Sequence, residues 1–243
     1  MRWNEVLQTV KEFKKDNNSV WFRGQPNDAY QLKSSLFRQN IKKVEQVLLN
    51  ERARYNLFKN NGHLYHNLDD WDLLYLMQHH GVKTRLLDWT ESFATALYFA
   101  SNHWQQDNPI SIWMLNPNKL NKKSINDGRY FVTHGDSYKD RLYQINDKKF
   151  FENSVALHPV KTNHRIVAQQ GVFTIQGNTL LPLDEEFDGA LITEGILKKV
   201  TLTKELSEDV AEFLYFSGIT PFTIFPDLKG LAEYVNLCTE NNS

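Results

Sequence analysis

The chain has 243 residues with a formal charge of −1, 41% hydrophobic and 23% charged residues, a balance that fits one well-buried domain and excludes a disordered chain. Near-neutrality argues against a broad cationic surface for nucleic acid. The lone Cys238 can form no internal disulfide and offers no second thiol for a metal cluster, and no run approaches the roughly 18 apolar residues of a membrane span, so a soluble, cytoplasmic protein is expected.

In chain order, Trp3, Val6, Leu7, Val10 and Phe13 recur at helical spacing and predict an amphipathic helix over 3–16. Residues 20–24 read as a short strand with Trp21 and Arg23 on one face and Val20 and Phe22 on the other. Helices follow over 41–60, stopped by Asn61-Gly62, and over 69–79, with Asp69 or Asp70 as N-cap. Thr84–Thr90 alternates as a strand with Asp88 and Thr90 on one face, and 91–102 carries Phe93, Ala96, Leu97 and Ala100 on one buried helix face.

Beyond residue 102 the pattern turns to short strands, predicted over 110–115, 155–157, 166–175 and 189–192. Residues 116–150 are rich in Asn, Lys, Asp and Gly and read as a long polar connection, a mobile loop or lid whose Tyr130, Phe131, His134 and Tyr138 either recognise a ligand or pack onto the body. Helices return at about 204–217 and 227–238. No repeat or linker divides the chain, so the expected architecture is a single α+β domain over 1–243, a mixed or antiparallel sheet flanked by helices.

Three polar groups stand out among apolar neighbours. Arg23 on an aromatic strand is costly to bury alone, so it either pairs internally, with Asp88 for instance, or meets an anionic ligand, and Gly24 beside it would let a ligand approach the backbone. Arg85, Asp88 and Thr90 form the second group, with Thr90 alternatively the N-cap of the next helix. Gln169 and Gln170 form the third, as strand neighbours pointing to opposite faces. Tyr98 is either a stacking residue for a ligand or a core aromatic. His79 and His80 precede a glycine turn, where they cap a helix or titrate near neutrality. There is no HExxH, no GxGxxG and no GxxxxGK[ST], so a metal site, a Rossmann site and a P-loop are unsupported.

Four ordered segments resemble the FRG domain family, named for Phe-Arg-Gly. They are Val20-Trp21-Phe22-Arg23-Gly24-Gln25, the run 78–100 around Arg85-Leu86-Leu87-Asp88-Trp89-Thr90, the run 156–175 with Ala168-Gln169-Gln170-Gly171-Val172-Phe173, and 218–231 with Phe225-Pro226-Asp227-Leu228-Lys229-Gly230-Leu231. The resemblance spans roughly 20–236. It implies similarity to the ADP-ribosyltransferase superfamily in fold, with NAD as substrate, a macromolecular acceptor (RNA, DNA or protein), and a toxin or phage-defence setting with an antitoxin protein as partner. On that resemblance Arg23, Asp88 and Gln169 are the catalytic candidates. Arg23, Gly24, Gln25, Arg85, Thr90 and Tyr98 are the dinucleotide-binding ones. Related transferases place a glutamate where this chain has Gln169, which keeps open an alternative, a nucleotide- or protein-binding module without turnover.

Overall fold

The computed structural model describes residues 2–39, 42–102, 104, 108–161 and 163–240. Its elements run α1 (Trp3–Lys15), β1 (Trp21–Gln25), α2 (Val44–Asn61), α3 (Asp70–His79), β2 (Leu86–Thr90), α4 (Phe93–Ser101), β3 (Ile110–Leu115), α5 (Pro117–Ile125), β4 (Phe131–Val132), α6 (Tyr138–Tyr143), β5 (Val155–His158), α7 (His164–Ala168), β6 (Gly171–Ile175), α8 (Ala190–Thr193), β7 (Leu197–Leu202), α9 (Ser207–Phe216), α10 (Pro221–Ile224) and α11 (Leu228–Glu240). Ile41, where the predicted second helix begins, lies outside the described residues. Among the described residues no helix is long and apolar enough to cross a membrane.

The strands form one mixed sheet in the order β4-β5-β6-β2-β1-β3-β7, parallel at β4–β5 and antiparallel elsewhere. Strand alternation sends Trp21, Leu87, Trp89, Trp113 and Leu115 into a core on one face. Phe22, Ile112 and Met114 go to the other face, under α1, α4 and α9. A third core lies beneath α2, α3 and α6, around Leu74, Tyr138 and Phe150.

One junction in this sheet matters for the site. β1 pairs with β3 over five positions and β2 pairs with β6 over five. Between β1 and β2, however, the register holds the one pair Phe22↔Thr90. Beyond that bridge the two central strands part, and the backbone groups facing the gap need other partners.

The structure departs from the sequence expectations in three places. Residues 116–150 are no open loop: Asn116 and Ser137 cap α5 and α6 through their side chains, and Leu120, Tyr138 and Leu142 are fully buried. Tyr130 stacks on Trp21 at 5.8 Å. The predicted strand over 166–175 is a helix in its first part, because the Asn163 side chain accepts the Ile166 amide and starts α7. Gln170, at φ 48°, then turns the chain into β6. The predicted strand at 189–192 is the short α8, entered through left-handed Phe187, Asp188 and Gly189. The strand in this region is β7, at the sheet edge, where Lys198 and Lys199 break the apolar alternation.

Candidate functional site

Where β1 and β2 part, a cleft of about 370 Å³ opens between the strand edges and α3, α4 and α7. That volume falls within the usual range for small-molecule sites, about 300–1,000 Å³. Arg23, Gly24, Asp88, Thr90 and Gln169, drawn from three separated segments, all line it.

Arg23 occupies the gap itself. Its Nη1 donates to the Asp88 backbone carbonyl at 2.6 Å, replacing the strand amide that the separation removes. The side chain is only 15% exposed, and the Asp88 carboxylate lies 4.0 Å away. Arg23 Nε is buried with no hydrogen-bond partner. Burial pushes its pKa down to about 10, partly offset by Asp88, and Arg38 adds a small like-charge push in the same direction as burial. The guanidinium therefore remains charged at neutral pH and has spare donors within a largely desolvated site.

Asp88 is the carboxylate of the cleft. Its side chain is 60% exposed and accepts from the Gln78 amide at 2.9 Å. Gln78 is fixed in turn by accepting the Thr84 hydroxyl at 2.6 Å.

Thr90 is tied to the third segment. Its hydroxyl donates to the Gln169 backbone carbonyl at 2.6 Å and accepts the Ser92 amide at 3.0 Å. Ser92 supplies the N-cap of α4, by accepting the Thr95 amide, so the alternative role considered for Thr90 belongs to Ser92. Gln169 sits at the C-cap of α7 and not on a strand. Its side-chain amide donates to the Ile224 carbonyl at 3.2 Å, an arrangement that directs Oε1 away from that bond.

Two further nitrogen-bearing side chains, His79 and Arg165, line the cleft. His79 ends α3, and its pKa is lowered by burial first and then by the charge of Arg165 and by His80. Arg165 lies over the Phe225 ring at 4.6 Å. Among the described residues no cluster of three or more His, Cys, Asp or Glu side chains could hold a metal.

The FRG domain family model matches residues 18–109. That stretch carries β1, β2 and α4, hence Arg23, Asp88 and Thr90, and the match supports the FRG family for this chain. Gln169, Arg165 and the 218–231 segment lie outside the matched residues. No curated protein and no solved structure matches the chain.

Several of the proposed dinucleotide-binding residues play other parts in the FRG-matched stretch. Arg85 is fully buried away from the cleft. Its Nε lies 2.9 Å from both Glu51 oxygens, its Nη1 donates to the Gln176 carbonyl, and its guanidinium stacks 3.5 Å from the Phe150 ring centre. Gln25 is buried too, accepting the Trp113 indole N–H at 2.9 Å and donating to the Gln31 carbonyl. Tyr98 is not a cleft-lining residue; its ring packs edge-on to Phe99 and Phe225.

Gly24 does line the cleft, but the space its missing side chain leaves is filled by α4. A Cβ there would meet the Ala96 carbonyl oxygen at 1.9 Å and the Ala100 amide at 2.7 Å. The small face of α4, Ala96 and Ala100, is what permits this approach, so Gly24 serves helix–strand contact and not ligand access.

No residue of 116–150 lines the cleft, and the segment packs instead around α2, α3 and β5, so it is no lid over this site. Gln78, Arg165 and Phe225 were the residues whose place in or beside the site the sequence pattern did not assign. Gln78 opens one of the recognised segments and Arg165 lies inside another, and only the helical turn of α7 brings Arg165 to the cleft.

Proposed function

We propose that the cleft binds NAD and that the protein transfers ADP-ribose from it to a macromolecular acceptor. The observation that carries this reading is the incompletely paired Arg23 guanidinium in a cleft it shares with Thr90 and Gln169. On the resemblance to the ADP-ribosyltransferase superfamily, these three residues stand in the segments by which such transferases hold the dinucleotide.

In this reading the Arg23 fork takes the diphosphate. Thr90 positions Gln169 through the Gln169 carbonyl, and the Gln169 side-chain oxygen accepts from a hydroxyl of the nicotinamide ribose. The C1′–N bond breaks, its electron pair leaves with nicotinamide, and an acceptor nucleophile bonds to C1′ while its proton passes to Asp88 or to water. Positioning and electrostatics carry most of such a reaction. The 60% exposure of Asp88 supports a reactive position open to solvent, which admits an acceptor on a large molecule.

Gln169 is also the observation that favours a second reading, a nucleotide-binding module without turnover, because a neutral amide stabilises a ribosyl cation less than a carboxylate does. One experiment separates them. The protein is incubated with NAD, with and without cell lysate or total RNA, and nicotinamide release is followed beside NAD binding. Release above buffer supports transfer; saturable binding without release leaves the module; neither one removes NAD from the proposal.

A further inference from the structure

The C-terminal segment 218–231 touches the cleft at two points. The Ile224 carbonyl accepts the Gln169 amide, and the Phe225 ring carries the Arg165 guanidinium at 4.6 Å. Phe225 is itself held on several sides. Tyr98 and Phe99 pack edge-on to its ring at 6.5 and 6.0 Å. Behind it α11 comes so close that a Cβ on Gly230 would lie 2.0 Å from the Phe225 carbonyl oxygen, and the Asp227 side chain fixes that turn by accepting the Gly230 amide at 2.9 Å.

Among the described residues no hydrogen bond or ion pair engages the Arg165 guanidinium, which lines the same cleft as Arg23. An aromatic ring holds a guanidinium by its face and leaves the N–H groups on its edge for another partner. The cleft thus has two arginine forks with spare donors, Arg23 from β1 and Arg165 from α7, against the one exposed carboxylate of Asp88.

We propose that Arg165, carried on Phe225, is a second anion-binding group of the cleft, and that Arg23 and Arg165 together select a ligand bearing two linked phosphates. This inference rests on reading the cleft as a nucleotide site. Each fork suits the oxygens of one phosphate, so a diphosphate engages both arginines, a monophosphate one, and an uncharged nucleoside neither.

The test titrates inorganic pyrophosphate, ADP, AMP and adenosine into the full chain by calorimetry. ADP and pyrophosphate are expected to bind at least about tenfold more tightly than AMP, about 1.4 kcal/mol, with adenosine weakest. Arg165→Gln should bring ADP down to the level of AMP while melting stays near wild type. Phe225→Leu should weaken ADP in the same direction, and Phe225→Tyr should restore it, a rescue that a purely structural Arg165 would not show in ADP affinity. If Arg165→Gln does not fold, Arg165→Lys carries the same expectation, because it keeps the charge and loses the fork.

Equal affinities of the wild type for ADP and AMP would overturn the clamp, as would an Arg165 variant that binds ADP like the wild type. Arg165-dependent pyrophosphate binding without nicotinamide release would keep the clamp and remove the transferase reading. Nicotinamide release with ADP binding indifferent to Arg165 would do the reverse.

Discussion

Arg23 Nη1 donates to the backbone carbonyl of Asp88 at 2.6 Å, while the Asp88 carboxylate stands 4.0 Å off and 60% exposed. The arginine is thus bonded to the opposite strand more closely than to its ionic partner. Removing it strands no buried charge, since Asp88 keeps solvent and the Gln78 amide. Arg23→Ala should therefore cost about 1 kcal/mol for the lost hydrogen bond, well below the roughly 3–5 kcal/mol of a broken buried pair. NAD binding or nicotinamide release should fall by about tenfold or more, and Arg23→Lys should share much of that loss because it keeps the charge without the fork. Thermal unfolding and NAD titration of both variants check this. An alanine variant that loses 3 kcal/mol or more would make Arg23 a structural residue.

Arg85 presents the opposite case, a buried pair remote from the cleft. Glu51 is 3% exposed and Arg85 fully buried, with Tyr138 donating to Glu51 at 2.6 Å. Arg85→Ala should leave a buried carboxylate without its cation and cost about 3–5 kcal/mol, whereas replacing both partners together by apolar residues should recover part of that loss. Denaturant unfolding of the two single variants and the double variant measures the coupling. A mild effect of Arg85→Ala, comparable with that of an exposed residue, would contradict the assignment.

Gly24→Ala tests the close approach of β1 and α4. The added methyl would meet Ala96 and Ala100 backbone atoms at 1.9 and 2.7 Å, and a helix backbone cannot swing aside as a side-chain end can. Strain of about 3 kcal/mol is expected, the upper end for overpacking, read as a lowered unfolding midpoint. Near wild-type stability would mean that α4 moves freely on the sheet.

How much of this was legible in the sequence depends on whether a residue's role was local. Strands β1, β2 and β3 and helices α1, α3 and α4 follow from apolar spacing and caps, and Arg23, Asp88 and Thr90 stand out as polar side chains among apolar neighbours, whereas Gln169 is singled out by the family resemblance and sits at a helix end in place of the expected strand. Arg85 carries the same sequence signal as Arg23, an arginine beside apolar strand residues. Its partner Glu51 lies on a helix 34 positions earlier, and no local pattern distinguishes an arginine that meets a buried glutamate from one that meets a gap in the sheet. The segment 116–150 has the composition of a loop because its polar residues, Asn116 and Ser137 among them, serve as helix caps. Arg165 needed the geometry of α7, which Asn163 starts and Gln170 ends.

Glu186 supplies a pH dependence that can be isolated by one substitution. It is fully buried and accepts the Ser154 amide and hydroxyl, each at 2.8 Å. Burial raises its pKa from 4.5 to about 7, outweighing those hydrogen bonds and that of Thr179, which pull the other way. A folded-state value above the unfolded one means that folding favours the protonated form. The contribution is complete below about pH 4.5 and is lost as pH climbs through 7. On this account alone the protein should lose on the order of 3 kcal/mol between pH 4.5 and pH 8, at about 1.4 kcal/mol per pH unit of separation between the two values. Glu186→Gln keeps an acceptor for Ser154 and cannot ionise, so its stability should match the wild type near pH 5 and exceed it at pH 8. Urea unfolding of both proteins at pH 5, 6, 7 and 8 gives the difference directly. Parallel pH profiles for the two would show that Glu186 titrates in the fold as it does in the unfolded chain.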